Sequence, residues 1–224
     1  MQTVLQTLLY YLPELLLVAS LHFTVLVSPG PNFALVTGNS LTLGRRLATC
    51  SGFGIALGSL VHILCALVGL SVLVAESPVL FSIIKFFGAA YLMYLGLKAL
   101  WKSFYVKPKV QASIDAIIVS QTQVTTLEAV RMGFLTQVQN PKAILFFLGL
   151  FTQVVGVNTP VWVKALYGGE MILATVIWFW FVAAVFSHPV IRTKVQLFMR
   201  YIDRAFGVIL IVLGFLLAFT TQHK

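Results

Sequence analysis

Charge is what this chain has least of: 9% of its 224 residues are charged, and only six are acidic. Soluble domains carry roughly 25% charged residues, so a fold surrounded by water is excluded. The shortage of acids goes with the absence of any paired acidic motif, and neither HExxH nor GxSxG occurs. An intramembrane enzyme, the first rival reading, therefore has no visible machinery. Cysteine is nearly missing too. Cys50 and Cys65 have no CxxC or ligand-spaced partner, read as small packing residues, and say little about redox compartment. The scattered histidines and cysteines give a divalent-cation exporter little to work with. No cofactor is implied. The opening residues lack a basic n-region and a small-residue cleavage site, so they read as a retained first span and not a removed signal peptide.

What the chain has in abundance is apolar sequence, 59% of residues with a mean hydropathy of +0.98. Six apolar segments lie at about 10–40, 50–74, 79–100, 130–156, 161–187 and 201–221, most of them near the roughly 20 residues that cross a bilayer core of about 30 Å. The net charge of +9 sits mainly in short connections. It marks topology, with the lipid bilayer as partner and no nucleic acid. Arg45 and Arg46, then Lys98 to Arg131, then Arg192 to Arg204 mark three basic connections. The positive-inside rule makes these cytoplasmic and places both termini outside.

The first segment is too long for one span, and "SPGPN" divides it at Ser28, Pro29, Gly30, Pro31 and Asn32. The fourth is divided at "QNPK", which holds Asn140, Pro141 and Lys142. Each break precedes two unbroken spans. Three spans per half is an odd number, so the second half must be inverted relative to the first. The expected fold is an all-α integral membrane protein of six transmembrane helices, built as two inverted three-helix repeats with proline-broken first and fourth helices. The repeats cover residues 1–101 and 129–224 of a single transmembrane domain, joined by a cytoplasmic loop at 102–128.

Matched interruptions in inverted repeats point to a transporter's binding site. Proline lacks an N–H and suits the first position of a helix. Each break thus ends one half-helix and starts another, with Asn140 an N-cap and Gly30 relaxing the turn before Pro31. The new N-termini offer unpaired N–H groups and a positive dipole end to a carboxylate. Lys142, near mid-span, must be paired, hydrated or facing a ligand. A carboxylate is expected at Pro141 and Lys142, with the amino or hydroxyl end of the solute held by Ser28–Asn32. Proton coupling has three candidates. His22 lies just before the first break. His62 continues the Gly54, Gly58 stripe and reads either as a packing histidine or as a proton carrier. Glu170 is either a proton or amine partner or half of a structural salt bridge. A non-transporting binding or assembly subunit, with the breaks as mere kinks, remains the other reading.

At "SPGPNF", "KFFGAAYLMYLGLKAL", "FLTQVQNPKAILFF" and "IDRAFGVILIVLGFLLA" the chain resembles the LysE/RhtB family of bacterial amino-acid exporters. Within that family it is most similar to the threonine and homoserine or homoserine-lactone efflux proteins. The resemblance implies secondary active export across the inner membrane, driven by the proton gradient, with an amino acid or close derivative as substrate. It also implies an aspartate after SPGP in related threonine exporters, where this chain has Asn32. A homo-oligomer is compatible with this reading, as is a monomer.

Overall fold

The computed structural model describes residues 2–76, 124–155 and 159–187, with further helical residues placed discontinuously within 86–104 and 201–215. The spans expected at 79–100 and 201–221 are described only in part, and most of the expected 102–128 loop lies outside the described residues.

Among the described residues six helices are continuous: α1 (Gln2–Val27), α2 (Pro31–Thr42), α3 (Arg45–Glu76), α4 (Thr126–Val138), α5 (Pro141–Gln153) and α6 (Val161–Phe186). Stretches within three of them, Val4–Val27, Arg45–Leu67 and Val161–Phe186, are long and apolar enough to cross a membrane. Large apolar side chains such as Leu9, Leu16, Phe23, Leu173, Ile177 and Phe181 point outward, as a lipid-facing surface requires. Cys65 is on that outer surface as well, and Cys50 is half-buried.

Local chemistry sets the helix ends. Gly44, at φ 86°, turns the chain between α2 and α3, a left-handed conformation that glycine adopts without a Cβ penalty. At the start of α4, Thr125 and Glu128 form a capping box: Glu128 N–H donates to Thr125 Oγ1 at 3.3 Å, and Thr125 N–H donates to Glu128 Oε2 at 2.7 Å. The Thr125 N–H bond, together with one donated by Thr125 Oγ1 at 2.9 Å, holds the Glu128 carboxyl below its usual range.

The two proline-divided segments become the pairs α1/α2 and α4/α5. Packing is reciprocal. α3 lies against both α4 and α5, and α6 lies against both α1 and α2. The tightest approach is α3 on α4. A Cβ on Gly54 would sit 2.0 Å from the Val130 carbonyl oxygen, and one on Gly133 would sit 1.9 Å from that of Ser51. Backbone touches backbone here, as small residues permit in membrane interfaces. Farther along the chain, Gly96 and Gly207 meet in the same way.

Two apolar clusters form the interior. One joins α1, α3, α5 and α6 through Val18, Leu21, Ile63, Phe147, Phe151, Tyr167 and Met171. The other joins α2, α3 and α6 through Val36, Ile55, Phe179, Val182 and Phe186.

Candidate functional site

Both helix breaks open onto one place. Pro31 and Pro141 each occupy the first turn of a new helix, α2 and α5. Asn140 is the N-cap of α5, and its Oδ1 accepts the Lys142 backbone N–H at 3.1 Å. Gly30 is the N-cap of α2, where no side chain caps the helix. Its φ of −170° is extended backbone that any residue can adopt, and a following proline disfavours the helical alternative. The expectation that Gly30 relaxes the turn is therefore corrected. What its missing side chain leaves is room, since a Cβ there would lie 3.8 Å from Lys142 Nζ.

The breaks are bonded to each other. Lys142 Nζ, from the second, donates to the Val25 carbonyl at 3.0 Å and to that of Ser28 at 3.4 Å. Val25 is among the last four residues of α1, whose carbonyls have no partner inside their own helix. A cation at this helix end also meets the negative end of the dipole. In the other direction, Asn32 Nδ2 donates to Gln137 Oε1 at 2.6 Å, and Gln137 Nε2 donates to Ser59 Oγ at 2.8 Å. The Gln137 carbonyl, near the end of α4, lies 2.9 Å from His62 Nε2. A carbonyl only accepts, so Nε2 carries the proton and His62 serves as a donor to that helix end.

Apart from His62, these groups line a cavity of about 40 Å³, room for a few waters. Ser28, Gly30, Asn32, Ser59, Gln137, Asn140, Lys142 and Thr175 give it a polar wall. Ala143, Phe146 and Phe147 close one side and Ile55 and Phe179 the other, and these belong to the two separate apolar clusters. His22 packs beside the rings of Phe146 and Phe147, its centroid 6.2 Å from each. It is 4% exposed and its Nδ1 has no hydrogen-bond partner. Among the described residues, no cluster of three or more His, Cys, Asp or Glu is placed to hold a metal ion.

A family model, LysE type translocator, matches residues 23–221. The chain belongs to the LysE type translocator family. A threonine efflux protein of Salmonella typhimurium is 32% identical over 186 residues, which is 83% of this chain and 88% of the relative. The threonine efflux protein of Escherichia coli K12 is 30% identical over 188 residues, 84% of this chain and 89% of its own. An uncharacterized membrane protein of the same strain, YahN, is 29% identical over 194 residues, 87% and 84% of the two chains. No solved structure matches. The chain is thus a transmembrane transport protein.

Of the residues expected to bind solute, this LysE type translocator brings Ser28, Gly30, Asn32, Asn140 and Lys142 to the cavity wall. Pro29, Pro31 and Pro141 are not part of that wall; they set the breaks that place the others. Of the proton-coupling candidates, His22 lines the cavity. His62 stacks on Phe147 at 5.8 Å, outside the cavity wall. Glu170 is also outside that wall, half-buried on α6 with Oε2 unpartnered.

Gln137, Ser59 and Thr175 were not anticipated. Gln137 left a signal, an amide three residues before Asn140 in an apolar segment, and Ser59 adjoins Gly58 of the glycine stripe. Asn140→Ala removes the side-chain cap of α5, which α2 lacks, and is expected to lower stability by about 1 kcal/mol. The midpoint of denaturant unfolding in detergent measures it.

Proposed function

We propose that this translocator is a secondary active exporter of a small amino acid or derivative, with a threonine- or homoserine-like solute as first candidate. The observation that carries the reading is one polar cavity at two converging helix breaks, with a separate apolar cluster on either side. A transporter that alternates access needs a central site and two seals, and the clusters supply surfaces that can part in turn. The likeness to threonine efflux proteins supports the choice of solute.

In this reading the solute carboxylate docks at Lys142 and the half-helix N-termini, where the ammonium and the backbone N–H groups favour an anion. The amino or hydroxyl end turns toward Ser28–Asn32. The cavity is smaller than such a solute, so binding displaces some of the bonds that tie the breaks together. The reciprocal packing of α3 and α6 on the opposite broken pairs supports two inverted three-helix repeats. The basic connections support both termini facing the periplasm from a bacterial inner membrane.

Coupling to protons uses His22 in this proposal, because it is the one candidate of the three in the cavity wall. One proton entering down a potential of 100 mV supplies about 2.3 kcal/mol, enough for roughly a fiftyfold gradient of a zwitterion. The chemistry is movement, not conversion, so no catalytic residue is assigned.

Proteoliposomes loaded with labelled amino acids test the whole reading. Efflux of one or a few of them, stimulated at least several-fold by an imposed inward proton gradient, is the expected result. Folded, inserted protein that moves none of them would overturn it. Amino-acid binding without flux would favour a non-transporting subunit.

A further inference from the structure

A terminal amide can be turned either way, and here a chain of hydrogen bonds decides the orientation of Asn32. Ser59 Oγ donates its one proton to the Ile55 carbonyl at 3.1 Å. It can then only accept from Gln137, which must present Nε2 to it at 2.8 Å. That turns Gln137 Oε1 toward Asn32. An amide oxygen only accepts, so Asn32 presents Nδ2, at 2.6 Å. The atom left over is Asn32 Oδ1, buried and without a hydrogen-bond partner, on a residue of the cavity wall. The only other such side-chain atom on a residue of that wall is His22 Nδ1. A buried acceptor in this condition costs free energy unless something donates to it.

The wall also has a distinctive charge pattern. Among its described residues Lys142 is the only fixed cation, and none is an acid. A carboxylate in this position would single out an ammonium by charge. A neutral oxygen asks only for a donor.

We propose that Asn32 Oδ1, oriented by Gln137 and Ser59, is an acceptor subsite that reads the donor on carbon 2 of a carboxylate solute and takes a hydroxyl as well as an ammonium. 2-Hydroxy acids are then ligands of this site alongside 2-amino acids. The inference rests on the reading that a carboxylate docks at Lys142. Gln137 and Ser59 are positioning residues, acting through Asn32. Hydrogen bonds from charged donors exceed those from neutral ones by a margin that limits the preference for the ammonium to about tenfold. A solute with no donor leaves Oδ1 unsatisfied and binds at least about tenfold more weakly than the hydroxy acid.

The test is ligand-dependent thermal stabilisation of the full-length protein in detergent, titrated with 2-aminobutyrate, 2-hydroxybutyrate and butyrate. The expected result is apparent affinities for the first two within about tenfold, and butyrate at least about tenfold weaker than 2-hydroxybutyrate. Stabilisation by 2-aminobutyrate with a hydroxy acid more than a hundredfold weaker would overturn the inference and leave the exporter reading standing. Equal affinities for all three would also overturn it. Stabilisation by none would remove the carboxylate site itself, and the inference with it.

Ser59→Ala frees Gln137 to turn over, and with it Asn32. The ratio of 2-hydroxybutyrate to butyrate affinity is then expected to fall toward one, a loss of discrimination that general loosening of the fold does not produce. Gln137→Glu keeps an acceptor oxygen toward Asn32, with the Ser59 hydroxyl turning from the Ile55 carbonyl to donate to the other oxygen, and should retain the ratio. An unaltered ratio in Ser59→Ala would overturn the roles given to Ser59 and Gln137.

Discussion

Alanine in place of Gly133 is expected to prevent the native closure of α3 on α4. The added carbon would lie 1.9 Å from the Ser51 carbonyl oxygen, so the helices must separate by about 1 Å to reach even a tight contact. Neither obstacle is the end of a flexible side chain. Both are backbone, in helices also fixed by other packing. In a bilayer, close packing and not the hydrophobic effect holds helices together, so lost contact along this seam is not replaced by another driving force. A cost of about 3 kcal/mol or more is expected, at the upper end for overpacking. Gly54→Ala should match it, because its carbon meets the Val130 carbonyl oxygen at 2.0 Å. Gly169→Ala is the control: nothing lies within 4 Å of its added carbon, and a change within about 0.5 kcal/mol is expected. Unfolding midpoints in detergent distinguish them. A Gly133→Ala protein as stable as wild type would mean that the crossing is looser than described.

Lys142→Met is expected to have the largest effect on transport. The substitution keeps an unbranched side chain of similar length and removes the ammonium. The Val25 and Ser28 carbonyls lose a charged donor, and the proposed carboxylate site loses its only fixed cation. A hydrogen bond to a charged group contributes about 1.5–3 kcal/mol. Loss of the corresponding contact to solute lowers apparent affinity by roughly 10- to 150-fold. Efflux from proteoliposomes, taken over a range of internal solute concentrations, separates the two consequences. A purely structural lysine would lower the amount of folded protein and leave the concentration dependence unchanged. A solute-binding lysine shifts that dependence in the protein that does fold. Lys142→Arg should restore part of the function by keeping the charge in a differently shaped head group.

The elements of this fold were legible where proline and apolar length dictate them. Pro31 and Pro141 cannot continue the preceding helices, so the ends of α1 and α4 and the starts of α2 and α5 follow from the chain alone. Arrangements across the fold were not legible. Asn32 and Gln137 are 105 residues apart, and no local rule pairs them. Gly133 carries no hint in "RMGFL" that its neighbour is Ser51. His62 was open between packing and proton transfer because its environment comes from α4 and α5, not from its own helix. Gly30 illustrates the opposite error. Its type suggested an unusual backbone, whereas Pro31 had already favoured an ordinary extended one, and the glycine matters for the space it leaves beside Lys142.

The bonds across the two breaks also bear on how the protein is made. Lys142 follows Ser28 by 114 residues, so the first break enters the bilayer long before its donor is synthesised. Until then the carbonyls at the end of α1 depend on water or on assisting proteins, since hydrocarbon offers them nothing. The second break is in a different position. His62, which donates to the Gln137 carbonyl, belongs to the half already in place. Biogenesis thus has a direction written into it: the early half waits for its lysine, and the late half arrives where its histidine is ready.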